Sequence, residues 1–182
     1  MKKTIIIAGF MLSTLVSASE RPYFEGNILT IPSIDLNGEA AVYQDVTFEY
    51  TKSNNWTLLN FNRGKKIQEI THVRLIQTNN FPIQAFLKIS GVFNNGCQQM
   101  GQVATQVIDN RIETSVFYDN KSINNRFCTM VMTPFNKTIP LPIYGLKAGT
   151  YNYSINHNFT GAFTLAKDNF FLKEIKDTLE TK

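Results

Sequence analysis

The stretch Pro82-Ile83-Gln84-Ala85-Phe86-Leu87-Lys88-Ile89-Ser90-Gly91-Val92-Phe93, closed by Asn94-Asn95-Gly96 and then Cys97, decides the fold class. Ile83, Ala85, Leu87 and Ile89 recur at every second position, the period of a strand with one face in a core. Asn-Asn-Gly then supplies a turn, because these residues tolerate backbone angles that most side chains resist. Working outward, the same grammar repeats about every ten residues. Ile67 to Gln77 is strand-like, with Ile70, His72 and Arg74 on one parity and Val73 and Leu75 on the other. Gln102–Ile108 and Arg111–Tyr118 flank Asp109-Asn110 as a hairpin; Cys128–Thr133 and Thr138–Ile143 are short strands separated at Pro134. Tyr151–Asn156 and Ala162–Ala166 close the series around the turn Asn156-His157-Asn158. Many short strands with regular turns predict a β-sandwich.

Upstream, a polar lead-in at residues 20–25 precedes a strand from Ile28 to Leu36, the turn Asn37-Gly38, and strands at Ala41–Thr51 and Trp56–Phe61. This is a β-meander over 26–62, and three strands are marginal alone. Asn62-Arg63-Gly64-Lys65-Lys66 is the candidate boundary before a sandwich spanning 67–167. At the far end Phe171, Leu172, Ile175 and Leu179 fall at helical spacing, with Asp168 or Asn169 as a cap. The expected fold class is therefore all-β: an immunoglobulin-like β-sandwich with an N-terminal β-meander and a short C-terminal helix over 168–182.

The first 18 residues read as an address. Met1-Lys2-Lys3 is a positive start, Thr4 to Val16 is apolar, and Val16-Ser17-Ala18 offers the small residues a signal peptidase reads. The apolar run is about 13 residues, short of the ~20 that span a bilayer as a helix. A signal peptide over 1–18 is expected, with a periplasmic or secreted product and no stable membrane insertion after its removal. Cleavage there takes two of the 18 basic residues, leaving 16 against 14 acidic ones. The one basic cluster, Arg63-Gly64-Lys65-Lys66, has the form of a solvated turn, so a nucleic-acid partner is not expected.

Composition agrees with a folded chain. Of 182 residues 43% are apolar and 18% charged, with 14 Phe and 7 Tyr spread along the length, which excludes disorder as the main state. Cys97 and Cys128 are the two cysteines, and in an oxidising compartment one intramolecular disulfide is the economical reading over two free thiols.

The segment Gly91 to Asn169 resembles an uncharacterised family of bacterial exported immunoglobulin-like β-sandwich domains, and with the strand before it the likeness covers about 67–169. The residues that carry it are Gly91-Val92-Phe93-Asn94-Asn95-Gly96-Cys97, Cys128-Thr129, Phe135-Asn136-Lys137-Thr138-Ile139-Pro140-Leu141 and Leu146-Lys147-Ala148-Gly149-Thr150-Tyr151. The resemblance implies fold and export and no activity. In the last motif Leu146 is expected to plug one end of the core, Gly149 to allow a tight corner, and the Tyr151 hydroxyl to reach a backbone partner.

No catalytic constellation is legible. His72 and His157 lack a nucleophile-elbow neighbour. A zinc site needs three or four ligands, and the bridge consumes both sulfurs. No phosphate cradle opens a helix. Catalytic residues, metal ligands and cofactors are all expected to be absent. The candidate recognition element is the loop from Asp119 to Phe127, with Phe117, Tyr118, Arg126 and Phe127 as candidate partner-binding residues, tethered by Cys128; a plain polar connection is the alternative reading. The expected function is a non-catalytic binding or structural module for a protein or envelope component; a secreted enzyme inhibitor using the same braced loop is the alternative.

Overall fold

The computed structural model describes residues 21–36, 39–123 and 127–171. The expected signal peptide, the Asn37-Gly38 turn, Arg126 and the expected tail helix from residue 172 onward lie outside them. Eleven strands follow in chain order: β1 (Tyr23–Glu25), β2 (Ile28–Leu36), β3 (Glu39–Tyr50), β4 (Trp56–Arg63), β5 (Ile70–Gln77), β6 (Ala85–Phe93), β7 (Met100–Ile108), β8 (Arg111–Tyr118), β9 (Thr133–Leu141), β10 (Gly149–Ile155) and β11 (Phe159–Leu165). One helical turn, α1 (Asn120–Ile123), lies between β8 and β9. The protein is an all-β sandwich.

Three sheets form. The meander is an antiparallel sheet in the order β1-β2-β3-β4; the sandwich packs β5-β6-β9 against β11-β10-β8-β7. Seven strands split three and four match the immunoglobulin-like plan. The β8–β10 pair departs from it by running parallel, with Asn152 opposite Arg111 and Ile155 opposite Thr114. The reason lies in β8. Its sequence Ile-Glu-Thr-Ser-Val-Phe-Tyr is buried on both parities, so it takes a central place, and its hairpin partner β7 becomes the edge.

The core sits between the two sandwich sheets. On β6 the residues Ala85, Leu87, Ile89 and Phe93 point inward in strict alternation. They meet Ile112, Val116 and Tyr118 of β8, Tyr151 and Ile155 of β10, and Phe163 and Leu165 of β11. Strand β5 enters this core with Ile70 and then Val73 and Leu75, a change of parity. A bulge between Ile70 and His72 produces that change by inserting one extra residue into β5. Gly91 makes the bulge possible, since a side chain there would collide with the Glu69 carbonyl.

The outer face of β8 is covered too. Phe117, 1% exposed, lies under the meander, and a side chain at Gly64 would collide with both the Gln44 amide and the Phe117 ring. Ala40, Ala41 and Val42 are buried there. Asn120 donates to the Gln44 amide oxygen at 2.9 Å and Gln106 to Asp35 at 2.5 Å, while Lys66 and His157 each lie 3.6 Å from Glu39. The meander therefore docks on the β7–β8 face through the first half of β3.

Several local expectations change. Residues 23–25, read as lead-in, form β1 against β2. Cys128–Thr133 is not a strand; β9 starts at Thr133 and runs through Pro134 and Pro140 to Leu141. It tolerates both prolines because it is an edge, bonded on one side to β6. Asp168 and Asn169, expected to cap a helix, are used elsewhere. Asp168 accepts from Ala148 N, and the buried Asn169 side chain bonds Ile83 N and O at 2.8 Å and Ile143 O at 3.0 Å.

The corner motif behaves as its residues predict. Leu146 packs on the core, Tyr151 stacks on Phe163 at 5.6 Å, and its hydroxyl donates to Lys147 O at 2.9 Å. The chain turns at Gly145, φ 87°, four residues before the Gly149 expected to allow the corner, where φ is 156°.

Candidate functional site

The Cys97–Cys128 disulfide forms, with Cα atoms 5.5 Å apart across 31 residues of sequence. Its surroundings are built from short polar side chains that hold backbone. The Asn95 amide oxygen accepts from Cys97 N at 3.0 Å and Gln98 N at 3.1 Å, an Asx turn. Gly96 N donates to Thr129 O at 3.0 Å, adding a backbone tie beside the sulfur bridge. On the other side Asp119 caps α1, accepting from Ser122 N at 2.9 Å. Ser122 in turn accepts from Gln99 N at 3.3 Å, and Asp119 N donates to Gln99 O at 2.9 Å. Both loops at this end of the sandwich are thus locked to each other.

What this frame presents is apolar. Phe127 is 95% exposed, Met130 88%, Val131 60% and Met132 66%. The segment is anchored by Cys128 at one end and by Thr133, paired with Phe93, at the other. Single exposed apolar side chains are ordinary on a protein surface, but four within six consecutive residues make a contiguous patch of the kind that marks contact sites.

Phe93, which pairs with Thr133, packs against Tyr118 with ring centres 6.1 Å apart. The Tyr118 hydroxyl hydrogen-bonds the Glu69 carboxylate, whose other oxygen accepts from Asn94 at 2.9 Å. Burial, with the Glu69 hydrogen bond and charge added, pushes the Tyr118 hydroxyl well above the ordinary tyrosine range. The Lys65 ammonium lies 5.6 Å from the centre of the same ring.

Of the described residues expected to bind a partner, Phe127 is exposed, while Arg126 lies outside the described residues. Phe117 and Tyr118 are 1% and 2% exposed and belong to the interior, a correction that follows from β8 being covered on both faces. Reading 128–133 as a strand hides Met130, Val131 and Met132. The signal that could reveal them is the lack of polar alternation in Met-Val-Met, directly before Thr-Pro. His72 bonds Thr71 at 2.9 Å on exposed β5, and His157 faces Glu39 in the turn after β10. A groove of about 510 Å³ between the β7 and β9 edges has Lys137 as its one charged lining residue. Among the described residues, no group of three or more His, Cys, Asp or Glu could hold a metal ion, and no helix is long and apolar enough to cross a membrane.

Residues 87–165 match the family model of the ORF11 beta-sandwich domain. The matched span runs from mid-β6 to the end of β11, and so contains both cysteines, the apolar segment and the Tyr151 corner. The meander and β5 lie outside the ORF11 match. No curated protein and no solved structure matches the chain.

Proposed function

We propose that this protein is an exported, non-catalytic binding module that engages a protein partner or envelope component through the segment Phe127–Met132. The observation that carries the reading is the exposure of Phe127, Met130, Val131 and Met132 on a segment pinned by the Cys97–Cys128 bridge. Anchoring limits the conformational entropy lost on binding, while aromatic and methionine side chains supply adaptable apolar contact. Export is supported by the Lys-Lys start, the apolar run and the Ala18 site, and by two cysteines brought to bridging distance.

Inhibition of an enzyme by the same braced segment is the second reading; the two-point anchoring favours it, because a rigid projecting loop fits a cleft. The test is capture of partners from envelope and host extracts by the protein and by an F127S/M130S/M132S variant whose urea midpoint is unchanged. Loss of the captured partner in the variant is expected. Retention of every partner would remove this segment as the contact site.

A further inference from the structure

The most exposed apolar surface outside that segment belongs to the meander. Strand β4 is its edge, bonded among the described residues only to β3, and it is open on both faces: Trp56 and Leu58 are 48% exposed, Leu59 and Phe61 50%. One face of the sheet holds an open groove of about 280 Å³ lined by Ile34, Tyr43, Val46, Phe48, Leu58 and Phe61. Such an edge is a template for another strand.

The register of β4 identifies that strand. Tyr50 pairs with Trp56 and Phe48 with Leu58, but Thr47 pairs with Asn60, so Leu59 is an extra residue in a bulge. The bulge changes the parity of β4 at its midpoint. Trp56 and Leu58 before it, and Phe61 and Arg63 after it, share the groove face; Thr57 and Asn62 share the other. Without the bulge, antiparallel pairing about the midpoint between Leu59 and Asn60 would set residues of opposite faces against each other. With it, this midpoint is the axis about which the strand is self-complementary. Trp56 meets Arg63, Thr57 meets Asn62, and Leu58 meets Phe61, each pair on a common face.

We propose that the chain self-associates as a two-fold dimer by antiparallel pairing of β4 with β4 of a second copy. Charge agrees. Arg63 is the sole charged residue of β4, and the pairing sets it across from Trp56, a cation–π partner, rather than across from its own copy. The two Arg63 side chains then lie at opposite ends of eight paired residues, roughly 25 Å apart and beyond the ~8–10 Å screening length of physiological salt. Area agrees as well. Trp56, Leu58, Leu59 and Phe61 are joined by Tyr50 and Phe24, which lie with their rings tilted against Trp56 at 5.1 and 6.0 Å and are 43% and 65% exposed. At roughly 150–250 Å² per aromatic side chain, this set presents on the order of 500 Å² per copy. Two copies reach the ~1,000 Å² that separates a specific interface from a chance contact.

The test is sedimentation velocity over a concentration series reaching about 100 µM, where a weak interface of this size is populated. The protein is expected to dimerise. L58K/F61K, which sets two ammonium groups against each other in the new pair, is expected to weaken association at least about tenfold. L58E/F61K, which sets a carboxylate at position 58 against an ammonium at position 61 of the other copy, is expected to restore it in a salt-dependent way. Melting temperature checks that each variant is folded, and F127S/M130S/M132S is expected to dimerise like the parent. A protein that stays monomeric throughout, a dimer indifferent to L58K/F61K, or one lost in F127S/M130S/M132S would each overturn the proposal. So would L58E/F61K associating no better than L58K/F61K.

Discussion

Two asparagines and a tyrosine hold this sandwich together from inside. Asn156, with φ 49° in the turn after β10, donates to Ile67 O at 2.9 Å and Val116 O at 3.1 Å and accepts from Val116 N at 2.8 Å. Asn169 does the same at the opposite end, between Ile83 and Ile143. Each is a side-chain amide that replaces a missing strand neighbour, satisfying backbone groups that would otherwise be buried without partners. Tyr118 gives a titratable counterpart. Its pKa is raised by burial and by Glu69, so it keeps its proton while an unfolded tyrosine ionises at about 10. This stability is therefore fully present below about pH 10 and is lost as pH climbs toward the raised folded value. Urea unfolding followed between about pH 9 and 11 should show that decline, and Y118F should flatten it. An equally steep decline in Y118F would place its origin elsewhere.

Among the elements, the segment Phe127–Met132 lies outside the strands and is tied down by the covalent bridge at Cys128. Cys97–Cys128 closes a loop of 31 residues that includes β7, β8 and α1. Chain-entropy arguments assign closure of a ring this size about 3–4 kcal/mol. The C97A/C128A variant should lose stability of that order in equilibrium unfolding, and Met130 and Met132 should oxidise no more slowly than in the parent, being exposed in both. An unfolding free energy unchanged from the parent would show that the bridge adds no stability to the fold. The elements also explain why periodicity succeeded unevenly. β2 and β8 fall where alternation and turn residues place them, at Ile28–Leu36 and Arg111–Tyr118. β9 does not, because Pro134 looks like a terminator until the strand is known to be an edge.

For the whole molecule, the decisive contact is the docking of the meander on β8. Phe117 is the buried centre of that contact, held between Gly64, Gln44 and the sheet. Burial of a phenylalanine on this scale contributes roughly 3–5 kcal/mol when measured by truncation to alanine. The sole tryptophan, Trp56, sits in the meander, so its fluorescence reports one unit while far-UV circular dichroism reports mainly the other. In the parent the two unfolding midpoints should coincide. F117A should lower stability by roughly 3–5 kcal/mol and bring Trp56 unfolding ahead of the sandwich. Midpoints that already differ in the parent would show that the two units are not coupled through this contact.

Period-two alternation, turn residues and the cysteine pair are legible in the sequence, and they are enough for an all-β chain, for most of its strands and for the bridge. Which faces are covered is a different kind of fact. Asn156 finds Val116 across 40 positions and Asn169 finds Ile83 across 86. Phe117 is interior only because the meander folds back over it, and Met130 to Met132 are exposed because the strand read over Cys128–Thr133 does not form. Burial depends on the surface that arrives from elsewhere in the chain. A strand pattern can say that a side chain has a face to choose, and packing alone chooses it.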